Sequence, residues 1–274
     1  MGNTEVRREK VLIMGNGFDL NLGLKTSYND FIQSRDFSEL WRPNSLFSHL
    51  EGQKILNNWI DVEIELKKYS NNCGDESFEK DYHKLCEALI HYISKIDYTE
   101  INKSSSAYKL LTDLLNHDFI IFDFNYTNTV LKICNELGVD SQVLEGKIVK
   151  LHGSASEGKI IFGVEDSAAI KTQHIFLKKA FPAHYKAINL NFQLLNASDI
   201  YIFGHSLGET DHTYFKHYFE TASNSQISGS GQGLHLHYYN QTAYKDLHIQ
   251  LDHLSHHRLT GLKQKTVFKP IEVK

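Results

Sequence analysis

Short apolar runs alternate with amphipathic segments along most of the chain. The runs predict strands at Lys10–Met14 and at residues 118–124, 147–151, 159–162, 198–203 and 234–239, with an edge strand at 266–268. Apolar residues at three- and four-residue spacing predict helices at residues 128–137, 177–195, 209–221 and 244–254. This alternation predicts an α/β protein with a Rossmann-like, mostly parallel sheet and helices on both faces.

The stretch from residue 26 to residue 116 shows a helical pattern instead. Thr26 and Ser27 can cap a first helix, and a further helix is predicted where apolar residues recur at Ile55, Trp59, Val62, Leu66 and Tyr69. The chain has 274 residues, which suits one large α/β domain. We therefore predict a single domain over residues 1–274 with a helical insertion at about 26–116.

Composition narrows the classes of partner. Hydrophobic residues make up 41% and charged residues 23% of the chain, as in ordinary soluble proteins, and the net charge of -4 argues against a duplex nucleic acid partner. No apolar run reaches the roughly 18 residues of a membrane helix. The three cysteines fit reduced thiols and lack zinc-ligand spacing, and they are Cys73, Cys86 and Cys134. We expect a cytoplasmic protein without a membrane partner.

Polar motifs follow five of the predicted strands. If these strands are parallel, their carboxyl ends lie on one rim of the sheet, where open α/β sheets bind ligands. The motifs are Gly15-Asn16-Gly17, Asn125-Tyr126-Thr127-Asn128, His152-Gly153-Ser154, Gly204-His205-Ser206 and Asn240. Five such motifs together predict a ligand site at this rim.

The first motif is typical of a turn that holds a nucleotide phosphate. Gly15 and Gly17, with Gly23 six residues later, would let the backbone approach a pyrophosphate. The dinucleotide fingerprint G-x-G-x-x-G is not matched, because Leu20 takes its third glycine position. A tight strand-to-helix turn without a ligand is the alternative.

His152 is a candidate general base. A neutral histidine near pH 7 can accept a proton from a sugar hydroxyl, and Gly153 leaves space beside the imidazole. The alternative is a strand-end histidine that hydrogen-bonds with the backbone, which is the commoner role among the 16 histidines of the chain.

The segment from Gly204 to Gly208 matches the nucleophile elbow G-x-S-x-G and makes Ser206 a candidate nucleophile. Glu209 and Asp211 follow, however, and their negative charge would oppose an oxyanion in acyl transfer.

Five histidines toward the end of the sequence are candidate metal ligands. Their spacing matches no metal site, so we expect no metal; these residues are His235, His237, His253, His256 and His257.

Several segments together resemble one family. They are GNGFDLNLGLKTSY, WIDVEIEL at residues 59–66, FNYTNT, KLHGS, IIFGVED and IYIFGHSLGETD. In combination they resemble the AbiH-like proteins, a bacterial phage abortive-infection family, which in turn is similar to the sirtuin-like NAD-binding fold. The resemblance extends over residues 11–240. It implies NAD as substrate or ligand, and a role in phage defence.

The resemblance also implies roles for individual residues. Asn125 and His152 would be the catalytic pair, because they match the strand-end Asn and the His-Gly-Ser turn of sirtuins. The other matching positions would bind the cofactor, with Asn240 on the adenosine ribose; they are Gly15, Asn16, Gly17, Phe18, Gly23, Gly204, Ser206 and Asn240.

Departures from the sirtuin pattern restrict the expected chemistry. Residues 154–159 hold no four-cysteine zinc module, Lys25-Thr26-Ser27-Tyr28 replaces Pro-Asp-Phe-Arg, and Thr127 replaces an acid. These changes argue against lysine deacylation and are compatible with NAD cleavage. We expect an NAD glycohydrolase, with a nucleotide sensor without turnover and a Ser206 hydrolase as alternatives.

The expected activity would be toxic without control. We therefore expect the helices of residues 26–116 to act as a gate or as the surface of a homo-oligomer, and a phage-derived trigger to release the activity. NAD or a related nucleotide is the expected small-molecule partner.

Overall fold

A computed structural model describes residues 9–43, 45–56, 62–72, 76–224 and 231–273. Its main feature is a six-stranded sheet in which every neighbouring pair is parallel. The strands are β1 (Lys10–Met14), β2 (Phe119–Asp123), β3 (Ile148–Lys150), β6 (Asp199–Phe203), β7 (Gly233–Tyr238) and β8 (Val267–Glu272). A separate antiparallel pair consists of β4 (Gly153–Ser154) and β5 (Lys159–Ile160). The predicted α/β class and the edge strand are confirmed.

The order of the main sheet is β3-β2-β1-β6-β7-β8. The chain therefore builds outward from β1 on one side and, later, outward from β6 on the other. Strands β1 and β2 are apolar and buried because helices cover both of their faces. The strand order reverses between β1 and β6, and this switch point is where doubly wound sheets form a ligand crevice.

Helices cover the two faces of the sheet as the pattern predicts. The bounds are α1 (Asn16–Asn21), α2 (Tyr28–Ile32), α3 (Arg35–Ser38), α4 (Leu46–Leu56), α5 (Val62–Asn72), α6 (Phe78–Ser94), α7 (Ser106–Leu114), α8 (Thr129–Glu136), α9 (Ser141–Leu144), α10 (Asn191–Asn196), α11 (His212–Ser223), α12 (Gln241–Leu254) and α13 (Leu259–Lys265). One face packs on α1, α7 and α8, and the other on α10 to α13.

The predicted helical insertion has a hydrophobic core of its own. Helices α2 to α6 pack around residues such as Phe31, Phe47 and Leu85, together with apolar side chains from the segment 155–177. Ser27 caps α2 through a capping box with Asp30, so this helix begins where the sequence predicts. The insertion thus packs on the segment that follows β3.

Two predicted elements differ in the structure. The helix predicted at 177–195 is wrong: a 3-10 segment covers Thr172–Leu177, irregular chain follows, and α10 begins only at Asn191. The helix predicted around Ile55 to Tyr69 corresponds to parts of α4 and α5, and Trp59 lies outside the described residues. Within the described ranges, no helix is both long and apolar enough to cross a membrane.

Candidate functional site

Two glycine-rich turns pack against each other at the switch point. The Gly15 N–H donates to the Phe203 carbonyl (3.1 Å) and the Gly17 N–H to the Gly204 carbonyl (3.0 Å). A Cβ atom added to Gly15 would lie 2.6 Å from the Gly204 oxygen, and one added to Gly17 would lie 2.6 Å from the Gly204 Cα. The glycines are therefore required for contact between the two turns. Both N–H groups already donate within the fold, and the phosphate role expected for these glycines stays a prediction.

Two further positions of the predicted glycine loop have structural roles. Phe18 is fully buried, with its ring centroid 5.4 Å from that of Phe203, so its side chain packs in the core and its expected contact with a cofactor stays a prediction. Gly23 has a φ of +88° and ends α1: its N–H donates to Leu20, and the Leu24 N–H donates to Asp19. This is the Schellman ending of a helix, which explains the glycine without a nucleotide.

Asn125 joins the end of β2 to the first glycine turn. Its side-chain Nδ2 donates to the Gly15 carbonyl at 3.2 Å, and its N–H donates to Asp123 Oδ1 at 2.8 Å. Lys150 Nζ fixes the same loop by donating to Asp123 Oδ2 (2.7 Å) and to the Asn125 carbonyl (2.6 Å). Asn125 is thus a buried side chain of the switch point.

His152 pairs with a carboxylate that lies far away in the sequence. Its Nε2 atom is 3.1 Å from Asp211 Oδ1, and both residues are buried. Burial, with Lys179 adding to it, lowers the pKa of His152, so the imidazole is neutral at pH 7. Burial alone would raise the pKa of Asp211, but the Lys179 ammonium beside it holds that pKa well below its usual value. The pair is a neutral base beside an ionised carboxylate.

His205 contacts the other oxygen of the same carboxylate. Its Nδ1 accepts the Leu207 N–H at 2.9 Å, so the proton of the neutral ring is on Nε2, which faces Asp211 Oδ2 at 3.4 Å. Asp211 therefore faces a ring nitrogen at each oxygen. The Nε2 atom of His152 makes no hydrogen bond with the described residues, so its approach to Asp211 Oδ1 is an electrostatic contact. A ring nitrogen of the neutral imidazole has a lone pair that can accept a proton.

Lys179 and Glu63 complete the buried cluster. Lys179 Nζ lies 2.8 Å from Asp211 Oδ1 and 3.0 Å from Glu63 Oε2. Although burial opposes the ammonium form, Asp211 and Glu63 raise the pKa of Lys179 above its usual value. Sequence reasoning missed Lys179, Glu63 and the role of Asp211, because these contacts join segments far apart in the chain. The acidic residue that closes the GHSLGETD segment is the one signal that could have suggested Asp211.

Ser206 lies on the surface in a turn that differs from a nucleophile elbow. Its Oγ accepts the Gly208 N–H at 3.2 Å, and Ser206 is exposed. The strained residue is Leu207, with a φ of +53°, whereas an elbow places the strain on the nucleophile itself. An ordinary α-helix begins only at His212. The geometry does not favour a nucleophilic role for Ser206.

The remaining predicted positions are peripheral. Asn240 is exposed and caps α12, because its Oδ1 accepts the Ala243 N–H at 2.9 Å, and its ribose contact stays a prediction. His235 contacts Asp199 at 3.0 Å. Among the residues that the structure describes, no cluster of three histidine, cysteine or acidic side chains could hold a metal ion.

The cluster around His152 is enclosed. The His152 side chain is only 6% exposed, whereas Ser206 is exposed and Asn16 is half-buried at the crevice. Two surface depressions of about 490 and 400 Å³ border α6 and the α8–α9 region, and neither includes a residue of the switch point. His152 therefore has almost no contact with solvent in the structure.

The fold and the site define a doubly wound α/β protein with a buried His–Asp pair beside its switch point. The chain belongs to the family described as bacteriophage abortive infection AbiH, whose model matches residues 11–117 and 75–230. This membership assigns the protein to phage defence by abortive infection. No curated protein and no solved structure matches the chain.

Proposed function

We propose that the protein is an NAD glycohydrolase that acts in abortive infection. The observation that carries this proposal is the neutral, buried His152 with Nε2 3.1 Å from Asp211 Oδ1, beside the switch point of a doubly wound sheet. Doubly wound sheets bind nucleotides at this position, and a neutral imidazole is the side chain best suited to accept a proton near pH 7.

The proposed reaction hydrolyses the bond between nicotinamide and ribose. As the bond breaks, its electron pair moves to the pyridine nitrogen, and the ribose develops oxocarbenium character. Water attacks C1′, and His152 accepts its proton through an unprotonated ring nitrogen. The products are nicotinamide, ADP-ribose and a proton. Asn125 would orient the water or the ribose hydroxyls.

The charge of the cluster supports this chemistry. Two carboxyl groups, Asp211 and Glu63, surround one ammonium group, Lys179, and His152 and His205 add no positive charge when neutral. A positive oxocarbenium ion is stabilised by nearby carboxylates, whereas the oxyanion of acyl transfer is destabilised. The cluster therefore favours N-glycoside cleavage over ester hydrolysis.

The surface of the two glycine-rich turns offers accessible polar groups for the nucleotide. Asn16 and Gly204 are half-buried, and Ser206 is exposed on the adjoining turn. Asn125 and His205 both adjoin the first of these turns: Asn125 Nδ2 donates to the Gly15 carbonyl at 3.2 Å, and a Cβ atom added to Gly15 would lie 2.7 Å from the His205 Cα. His205 Nε2 in turn lies 3.4 Å from Asp211 Oδ2. NAD bound here would place its nicotinamide ribose toward His152.

A nicotinamide-release assay tests the proposal, with NAD binding measured in parallel by calorimetry. With a lysate of infected cells added to supply the trigger, the expected result is nicotinamide and ADP-ribose in equal amounts, and a loss of release in His152→Ala with binding retained. Absence of NAD binding to the wild-type protein would overturn the proposal.

The enclosure of His152 favours one second candidate, a nucleotide sensor that changes its contacts without turnover. This function predicts NAD binding with no nicotinamide release under any condition, including lysates of infected cells. A gated hydrolase releases nicotinamide in those lysates.

A further inference from the structure

Residues 161–190, which we call the strap, join the rim of the sheet to the helical insertion. Apart from Thr172–Leu177 the strap contains no helix or strand of the structure, and long irregular connections of this kind are often functional. Helix α5 contacts the strap along its length. Ser70 Oγ lies 2.8 Å from His174 Nδ1, and Asn71 Nδ2 donates to the Ala169 carbonyl at 3.0 Å.

The third contact between α5 and the strap is the buried pair of Glu63 and Lys179. The ammonium of Lys179 lies between Glu63 Oε2 at 3.0 Å and Asp211 Oδ1 at 2.8 Å. A buried ammonium needs such partners because burial without them is costly. A displacement of α5 that removes Glu63 therefore changes how Lys179 contacts Asp211.

Lys179 and His152 share one oxygen atom. Both Lys179 Nζ and His152 Nε2 approach Asp211 Oδ1, at 2.8 and 3.1 Å. Charged and titratable groups from several elements face His152. The segment after β6 supplies Asp211 and His205, and the strap supplies Lys179, with Glu63 of α5 on the far side of the Lys179 ammonium. The rings of Tyr126 and Tyr214 also lie beside the imidazole. A change in the charge or position of Lys179 therefore acts directly on the electrostatic environment of the His152 imidazole.

We propose that Lys179 is a positioning residue through which helix α5 of the insertion controls the His152–Asp211 pair. The part of this inference that concerns catalysis rests on the proposed function, whereas the coupling between α5 and the pair does not. With α5 docked, Lys179 fixes the Asp211 carboxylate and keeps a positive charge beside the imidazole. With α5 displaced, that restraint changes, and the protonation equilibrium of His152 changes with it.

The test is a pH titration of the His152 ring nitrogens by NMR, with the signal assigned by its loss in His152→Ala. Lys179→Met removes the neighbouring cation, so the pKa of His152 is expected to rise by about one unit, a tenfold change in its proton affinity. Glu63→Gln removes one of the two carboxylates beside the Lys179 ammonium. The surroundings of His152 then become more positive, so the pKa of His152 is expected to fall. Lys179→Arg retains the charge and should preserve the wild-type titration.

Glu65→Gln is the matched control, because Glu65 is also buried on α5 but contacts His49 and Lys68. It should leave the titration unchanged. An unchanged His152 titration in Glu63→Gln, or equal effects of Glu63→Gln and Glu65→Gln, would overturn the inference, and these variants decide it even if Lys179→Met does not fold. The titration uses no NAD, so a failure of the proposed hydrolase leaves its result intact.

Discussion

The Nε2 atom of His152 lies 3.1 Å from the Oδ1 atom of Asp211, although these residues follow strands that are not neighbours. His152 follows β3 at the edge of the sheet and Asp211 follows β6, with β2 and β1 between them. The segment after β3 therefore extends past the carboxyl ends of β2 and β1 to reach the switch point. The Phe124 ring contacts both histidines of the cluster, with centroids 5.1 Å from His152 and 4.2 Å from His205.

His152→Ala removes the proposed base. We expect nicotinamide release to fall by about 10² to 10⁴, because general bases typically contribute this much to a rate. Steady-state kinetics with NAD measure the effect, and His83→Ala, an exposed histidine of α6, is the control. Turnover at the wild-type level in a folded His152→Ala protein would contradict the assignment.

Asp211→Asn keeps the shape of the side chain but removes the negative charge that lies 3.1 Å from His152 Nε2 and would stabilise the protonated imidazole. We expect a loss of about 10² to 10⁴ in turnover, as for other bases whose carboxylate partner is replaced by an amide. Asp252→Asn disrupts the exposed pair of Asp252 and His257 (2.6 Å) and should leave turnover unchanged. If the two variants have the same kinetics, Asp211 has no part in stabilising the protonated base.

Gly204→Ala should prevent stable folding. A Cβ atom at Gly204 would lie 2.2 Å from the Phe18 nitrogen, and its φ of +66° adds strain, so we expect a loss of more than about 3 kcal/mol in the free energy of unfolding. Gly23→Ala has the same kind of φ, +88°, but open space around it, and should cost about 1 to 2 kcal/mol. Urea unfolding measures both. Equal losses would contradict the close packing of the two turns.

Asp19 should make stability depend on pH. Burial raises its pKa to about 7, and its Oδ2 accepts the Thr127 hydroxyl at 2.6 Å. Because the folded pKa exceeds the unfolded value of about 3.9, the folded state binds the proton more tightly, and the contribution of Asp19 to stability falls as the pH rises from about 4 to about 7.

Asp19→Asn removes this dependence. At pH 8 we expect the variant to be more stable than the wild type by up to roughly 4 kcal/mol, and the difference to shrink toward pH 4. Urea unfolding across this pH range checks the prediction, with the exposed Asp246→Asn as control. A difference that does not vary with pH would show that Asp19 is ionised in the folded protein throughout.

Ser206→Ala separates the NAD hydrolase from a serine hydrolase. A hydroxyl that binds phosphate or ribose contributes about 1 kcal/mol, so NAD affinity should fall by roughly five- to tenfold with turnover nearly intact. We expect no labelling of Ser206 by a fluorophosphonate. Stoichiometric labelling at Ser206, with ester cleavage lost in Ser206→Ala, would favour the serine hydrolase.

The strands could be predicted because their apolar runs are local features. Lys10–Met14 begins and ends where the pattern predicts, and the polar motifs after it and after β2, β3, β6 and β7 lie on one rim. The false helix at 177–195 contains Pro182, which disfavours helix at the preceding residue. There Val164 instead pairs with Lys178, a tertiary contact that no local pattern reveals.

The candidate site was predictable only in part. His152 stands out at the end of its strand, but its carboxylate and the buried ammonium come from segments that only the fold brings together. The glycines at positions 15 and 17 have the spacing of a phosphate turn, yet their N–H groups donate to Phe203, the last residue of β6, and to Gly204 in the turn that follows. The same local pattern serves ligand binding and chain packing, so the sequence could not distinguish them.

The NAD content of infected cells tests the central claim most directly. Cells that carry the wild-type protein, and a phage that this protein restricts, supply whatever opens the site. NAD measured by mass spectrometry during infection should fall, with nicotinamide rising, in wild-type cells and not in cells with His152→Ala, which should also lose restriction. Restriction of the phage at an unchanged NAD level would contradict the account.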